Sequence, residues 1–207
     1  MATTTATVTG RGPGQSGGEP SALARHVVIV HSDMVSSTEL VEAAGPRYPQ
    51  LLARHRALIG MAVERVGGRF LAHAGDGTLA LFDDPRDAVA AAVDAQRALG
   101  DEPWPGGLAL RVRMGVHAGE VYDLDGEPVG LAVNLGARIM ALAAGGQVVV
   151  SDAVARAVAG GGVPRVADAG WHQVRNHAGP VHLYQVVADG LTVVVPPPVG
   201  VTLVGVA

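Results

Sequence analysis

Apolar residues change their period along this chain, and the changes mark out its elements. Val27-Val28-Ile29-Val30 is a short unbroken apolar run followed by His31-Ser32-Asp33, which predicts a buried strand ending at Asp33. Ser36-Ser37-Thr38-Glu39 has capping-box spacing, so a helix is expected to begin at once, with an interruption at Gly45-Pro46. Tyr48, Leu51, Leu52, His55, Leu58, Ile59, Ala62, Val63 and Val66 then recur at helical spacing up to Gly67-Gly68. Strands are expected over 69–73 and 78–82, and a helix from Ala88 to Leu99 behind Asp84-Pro85. Leu108 to His117 reads as a strand, Leu131 to Leu142 as a helix closed by Gly145-Gly146, Gln147 to Val150 as a strand, and Val166 to Val187 as two more. This order predicts an α+β sheet with a ferredoxin-like βαββαβ core, extra strands, and helices on one face.

A strand, a crossover helix and a second strand parallel to the first finish at the same sheet edge. The pattern therefore brings Asp33, at the end of the first strand, towards Asp76 in Ala74-Gly75-Asp76-Gly77. Hard divalent cations such as Mg²⁺ take oxygen from one or two carboxylates plus substrate phosphates, which two aspartates at one edge could offer. Other readings of the same residues stand beside this one. Asp76-Gly77 is also a hairpin-turn signal, and Asp33 is also a polar strand end ahead of a helix. His31 and His73 lie near the aspartates and admit a His-carboxylate metal site of another kind.

Composition narrows the class. A length of 207 residues fits one domain with tails, and the readings above place it over 25–188, with a disordered Gly/Thr/Ser/Pro-rich segment over 1–24 and a second tail over 189–207. A net charge of -4 with 15 Lys+Arg argues against a nucleic-acid face, so an anionic ligand would be held by a few local cations. The absence of cysteine excludes disulfides, thiolate metal sites and a cysteine nucleophile. No stretch approaches the ~20 apolar residues of a membrane helix, and Met1-Ala2-Thr3-Thr4-Thr5 is no secretory leader, so a soluble, cytoplasmic protein without membrane or nucleic-acid partners is expected.

Asn134 and Arg138 are four apart on the predicted 131–142 helix, on one face, while Leu131, Leu135 and Leu142 occupy another. Gly130 and Gly136 leave that helix bare at two points, where backbone or ligand could approach. A solvated polar face is the alternative for the pair. Arg113 lies on a predicted strand and Arg175 follows Trp171-His172-Gln173-Val174; either alone is also explained as a snorkelling surface arginine.

Taken together, the motifs Ser32-Asp33-Met34-Val35 with Ser37-Thr38, Gly75-Asp76-Gly77, Arg113-Met114-Gly115-Val116-His117-Ala118-Gly119 and Gly130-Leu131-Ala132-Val133-Asn134-Leu135-Gly136-Ala137-Arg138 have a familiar order. From about Arg25 to Val187 the chain resembles the class III nucleotide cyclase catalytic domain, the adenylate and guanylate cyclase family. The resemblance implies that Asp33 and Asp76 bind two metal ions, Mg²⁺ or Mn²⁺, and that Arg113 and Arg175 contact phosphates, Arg175 standing where the family usually has lysine. It implies that Asn134 orients the ribose and Arg138 stabilises the transition state. It also implies a head-to-tail homodimer whose two sites each take metal ligands from one chain and Asn134 and Arg138 from the other.

Such a domain converts a nucleoside triphosphate, here most simply ATP, to the 3',5'-cyclic monophosphate and pyrophosphate. Arginines keep their charge and match phosphate bidentately, so they suit this chemistry. The helix starting near Ser36 could hold the triphosphate at its amides. Adenylate cyclases typically read the base with a lysine and an aspartate, and the corresponding positions here are Ala72 and Glu127. Glu127 keeps an acceptor on a longer stem, while Ala72 removes a donor, which predicts weakened discrimination between purines. The alternative from another class is a catalytically silent cyclase-like domain that binds a nucleotide or a partner.

Overall fold

A computed structural model describes residues 24–72, 75–160 and 164–191. His73 and nearly all of the two expected tails lie outside the described residues. The chain runs β1 (Arg25–Met34), α1 (Ser37–Ala44), a 3-10 turn at Gly45–Arg47, α2 (Tyr48–Arg65), β2 (Arg69–Ala72), β3 (Thr78–Phe82), α3 (Pro85–Asp101), β4 (Val112–Leu124), β5 (Glu127–Val129), α4 (Leu131–Leu142), β6 (Val148–Ser151), α5 (Asp152–Val158), β7 (Arg165–Gln173) and β8 (Pro180–Val187).

The sheet order is β2-β3-β1-β4-β6-β8-β7, with β5 paired only to β4. Among the described residues only β4 and β6 pair in parallel. Because β3 lies antiparallel between them, β1 and β2 point the same way, as the crossover argument requires. α3 begins where Asp84 accepts a hydrogen bond from the Arg86 amide at 2.7 Å, with Pro85 in the first turn.

Alternation along β1 divides the interior in two. Val28, Val30 and Met34 pack with α1, α2, α3 and α5, whereas Val27 and Ile29 pack with Ala132 of α4. Ile139 of α4 joins Val149 and Leu183 in a further cluster on that second side. The expectation of helices on one face is therefore corrected: α4 covers the opposite face. An amphipathic helix buries whatever apolar stripe it has, and the inward residues on both faces of β1 are each worth about 1.5–3 kcal/mol when buried.

Glycines on β4 let α4 approach. A Cβ on Gly115 would lie 2.5 Å from the Met140 backbone nitrogen, and one on Gly119 would lie 2.7 Å from the Ala132 Cβ. The helix thus rests on strand backbone rather than on side chains. At the other end of the domain the packed chain runs past 188, since Leu191 is buried in the larger cluster and Arg97 donates to the Asp189 carbonyl at 2.9 Å.

Candidate active site

The first half of the site is an edge of the sheet. Ser32 pairs with Thr78, so Asp33 lies one residue beyond the last β1–β3 pair and Asp76 sits in the turn two residues before it. The turn packs against β1: a Cβ on Gly77 would lie in ordinary van der Waals contact, 3.6 Å from the Ser32 carbonyl oxygen. Arg56 of α2 donates to the Gly75 carbonyl and ties the turn to the helix. The hairpin and the two-carboxylate edge are thus the same structure.

Asp76 carries an observation that bears on a cation. Its Oδ2 is buried and, among the described residues, has no hydrogen-bond partner. A buried polar atom left without a partner is costly, and a metal ion is one way of satisfying a carboxylate. The electrostatic surroundings are unusual too. Burial raises the Tyr48 phenol, with the Asp76 charge adding to the effect. Burial pushes His55 down to about 4, against an opposing pull from Asp76, so this fully buried histidine is neutral near pH 7.

Asp33 is half-buried and pairs with Arg113, its direct cross-strand neighbour. Among the described residues no group of three or more His, Cys, Asp or Glu side chains converges as a complete metal cage. Two carboxylates that leave most coordination positions to substrate oxygen and water fit Mg²⁺ or Mn²⁺ better than a thiolate- or imidazole-seeking metal.

The second half lies along α4. A cleft of about 580 Å³ is lined by Asn134 and Arg138 together with His117, Glu120, Asn176 and His177 among others. The helix places the asparagine and arginine one turn apart on this face, as their spacing requires. Arg138 Nη1 donates to the Asn176 carbonyl at 3.1 Å, which brings in the turn between β7 and β8. Arg175, exposed, is the residue before it. His117 contacts Ser151 Oγ through Nδ1 at 3.0 Å. Burial, then the nearby His177 and His26, hold His117 down at about 4.

Asp33, Asp76 and Arg113 do not line this cleft. Glu127 does not either: it sits exposed on β5, paired with Leu124. Ala72 ends β2 opposite Thr78, beside the Asp76 turn. The expected capping box is absent, because Ser36 has a left-handed φ of 55° and makes no side-chain cap. The sequence reading missed Asn176, His117 and His177. Asn176-His177-Ala178-Gly179-Pro180 was legible as a turn, but nothing local links it to a helix residue 38 positions earlier.

Fold and side chains define an α+β domain with Asp33 and the Asp76 turn near one sheet edge and an asparagine–arginine cleft along α4. No family model matches the chain. It superposes on the crystal structure of an adenylate/guanylate cyclase/hydrolase from Silicibacter pomeroyi with a TM-score of 0.70, at 30% identity, over 81% of this chain and 99% of that one. Adenylate cyclases from Trypanosoma brucei, solved in their monomeric state, give a TM-score of 0.72 over 81% of this chain and 89% of theirs, and at 22% identity they bear on the fold alone. In sequence the chain is 32% identical over 163 residues to "Putative adenylate cyclase 3" of Rhizobium meliloti (strain 1021), covering 77% of this chain. It spans 28% of the length of that relative and 32% of an uncharacterized Mycobacterium tuberculosis relative. The chain belongs to the class III adenylate/guanylate cyclase catalytic-domain family. No helix among the described residues is long and apolar enough to cross a membrane.

Proposed function

We propose that this domain is a nucleoside-triphosphate cyclase that converts ATP to cyclic AMP and pyrophosphate at a site shared between two copies of the chain. The observation that carries the reading is the edge where Asp33 adjoins a turn holding the buried, unpartnered Asp76 oxygen. In the reaction the ribose 3'-oxygen forms a bond to the α-phosphorus and the bond to the bridging oxygen of the leaving pyrophosphate breaks. The hydroxyl proton passes to solvent. Charge develops on phosphoryl oxygens as this happens. Two Mg²⁺ or Mn²⁺ ions held by Asp33 and Asp76 would supply charge neutralisation at the attacking and leaving oxygens.

The chain's own residues divide the remaining work. Asn134 orients the ribose, so the 3'-hydroxyl faces the phosphorus. Arg138 faces the charge that develops in the transition state. Arg113 and Arg175 bind the phosphates, and Arg113 changes partner from Asp33 to do so. Because Asn134 and Arg138 line a cleft separate from the aspartates, a complete site draws on the partner copy for one of the two halves. Ala72 and Glu127 occupy the base-reading positions, with Ala72 supplying no donor.

A nucleotide-binding domain without turnover is the second reading, favoured by the Arg113–Asp33 ion pair, which already neutralises one of the two carboxylates. Incubating the purified protein with Mg²⁺ or Mn²⁺ and each of the four ribonucleoside triphosphates separates the two. Cyclic product with pyrophosphate supports the cyclase; binding without product from any triphosphate supports the silent module.

A further inference from the structure

We propose that Asn176 is a positioning residue for Arg138: its left-handed backbone turns its carbonyl onto the guanidinium and holds that side chain at the cleft beside Asn134. The inference rests on the cyclase reading for its kinetic consequence. Among the described residues, Arg138 makes one hydrogen bond, from Nη1 to the Asn176 oxygen at 3.1 Å, and no ion pair with a carboxylate. A long, rotamer-rich, half-buried side chain is thus oriented by a single hydrogen-bond acceptor among the described residues.

The acceptor is itself well held. Asn176 has φ 55°, a conformation that asparagine tolerates and β-branched residues resist. The His177 amide donates to the carbonyl of Val174, a buried residue, at 3.1 Å, and the His177 ring contacts the Gly179 carbonyl through Nδ1 at 3.1 Å. The turn therefore joins α4 to the β7–β8 pair, and it carries Arg175 as well. A neutral carbonyl also suits the task better than a carboxylate would. It orients the guanidinium without cancelling the charge that Arg138 presents to the transition state.

Three variants test this. Asn176→Val makes the left-handed turn unfavourable, Asn176→Ala does so more mildly and serves if the valine protein does not fold, and Asn176→Gly keeps the turn while deleting the side chain. Asn176→Val is expected to lower kcat about tenfold while KM for the triphosphate stays within about twofold, because Arg138 acts on the transition state. Asn176→Gly should lower kcat less than Asn176→Val does, and adding Asn176→Val to Arg138→Ala should cost nothing beyond Arg138→Ala alone. Side-chain NMR of the Arg138 Nε–H should show an ordered guanidinium in the unmodified and glycine proteins and a mobile one in the valine protein. Unchanged kcat in Asn176→Val, equal impairment in Asn176→Gly, or multiplying losses in the double variant would each overturn the proposal. If the unmodified protein forms no cyclic product, the cyclase reading falls, and the NMR comparison alone decides whether the turn positions Arg138.

Discussion

Arg113 and Asp33 stand directly opposite one another on adjacent antiparallel strands, and Arg113 donates from both Nε, at 3.1 Å, and Nη2 to the same oxygen, Oδ2, of Asp33. One cation therefore already sits against one of the two carboxylates that the family resemblance assigns to metal. The side chains are 31% and 22% exposed, so the pair is partly buried but still reached by water. A pair that engages a single carboxylate oxygen can open when a polyphosphate offers the guanidinium a bidentate partner.

The first prediction concerns the two aspartates. Asp33→Asn and Asp76→Asn should each reduce turnover by at least about a hundredfold while changing the unfolding midpoint little, since charge at the edge is lost but shape is kept. Cyclic-product assays beside thermal unfolding check this. Near-normal activity in either variant would remove that aspartate from the site.

A second prediction concerns α4. On Gly115 a Cβ would meet the Met140 backbone nitrogen at 2.5 Å, and backbone cannot swing aside as a side chain could. Gly115→Ala should therefore push the helix off the sheet, cost about 1–3 kcal/mol by urea unfolding, and lower activity by displacing Asn134 and Arg138. Unchanged stability would mean that the helix yields without strain.

Much of this was legible in the sequence, and the parts that were not share a cause. Helical spacing from Tyr48 to Val66 and the Leu131–Leu142 pattern gave α2 and α4 because each element's own residues carry its period. Asp33 and Asp76 could be placed together because a parallel crossover is a strong topological rule. The face that α4 covers was misread, since it depends on what Gly115 and Gly119 of β4 leave open rather than on α4 itself. β5 and α5, of three and seven residues, are too short to show a period. The Arg138–Asn176 bond joins residues whose local sequences do not refer to one another.

The third prediction is a pH dependence. Burial lowers the folded-state value of His117 from 6.5 to about 4, so between these values the unfolded chain binds more protons than the folded one. Stability is then fully present above the unfolded value and is lost as pH falls from 6.5 towards 4. The loss from this histidine should be on the order of 2 kcal/mol at pH 5 relative to pH 7. Urea unfolding across this range should show that slope together with a similar one from His55, which burial also holds at about 4, and His117→Gln should remove about half of the total. An unaltered slope in the variant would assign the dependence to other groups.

The fourth concerns base choice. Ala72 closes β2 opposite Thr78, beside the Asp76 turn, and alanine offers no donor to a purine edge. Ala72→Lys should raise the preference for ATP over GTP several-fold or more, because a buried polar group left unpaired against the wrong base costs about 1–3 kcal/mol. Ratios of kcat/KM for the two triphosphates measure this. Strong ATP selectivity in the unmodified protein would show that residues other than position 72 read the base.

The fifth tests whether two chains share each site. Asp33 lies at the strand edge and Arg138 lines a cleft that contains neither aspartate, and the proposed shared site would take one group from each copy. Asp33→Ala and Arg138→Ala chains should each be inactive alone, because a homodimer of either lacks an essential group in both sites. A heterodimer places both defects in one site and leaves the other intact. Mixing should therefore restore activity, up to about one quarter of the unmodified level per chain for equal amounts and random pairing: half the dimers are mixed, and each has one of its two sites whole. Subunit exchange is checked separately with two differently tagged chains. If the tags exchange and the mixture stays inactive, Asp33 and Arg138 do not act across an interface, and the shared-site mechanism is wrong.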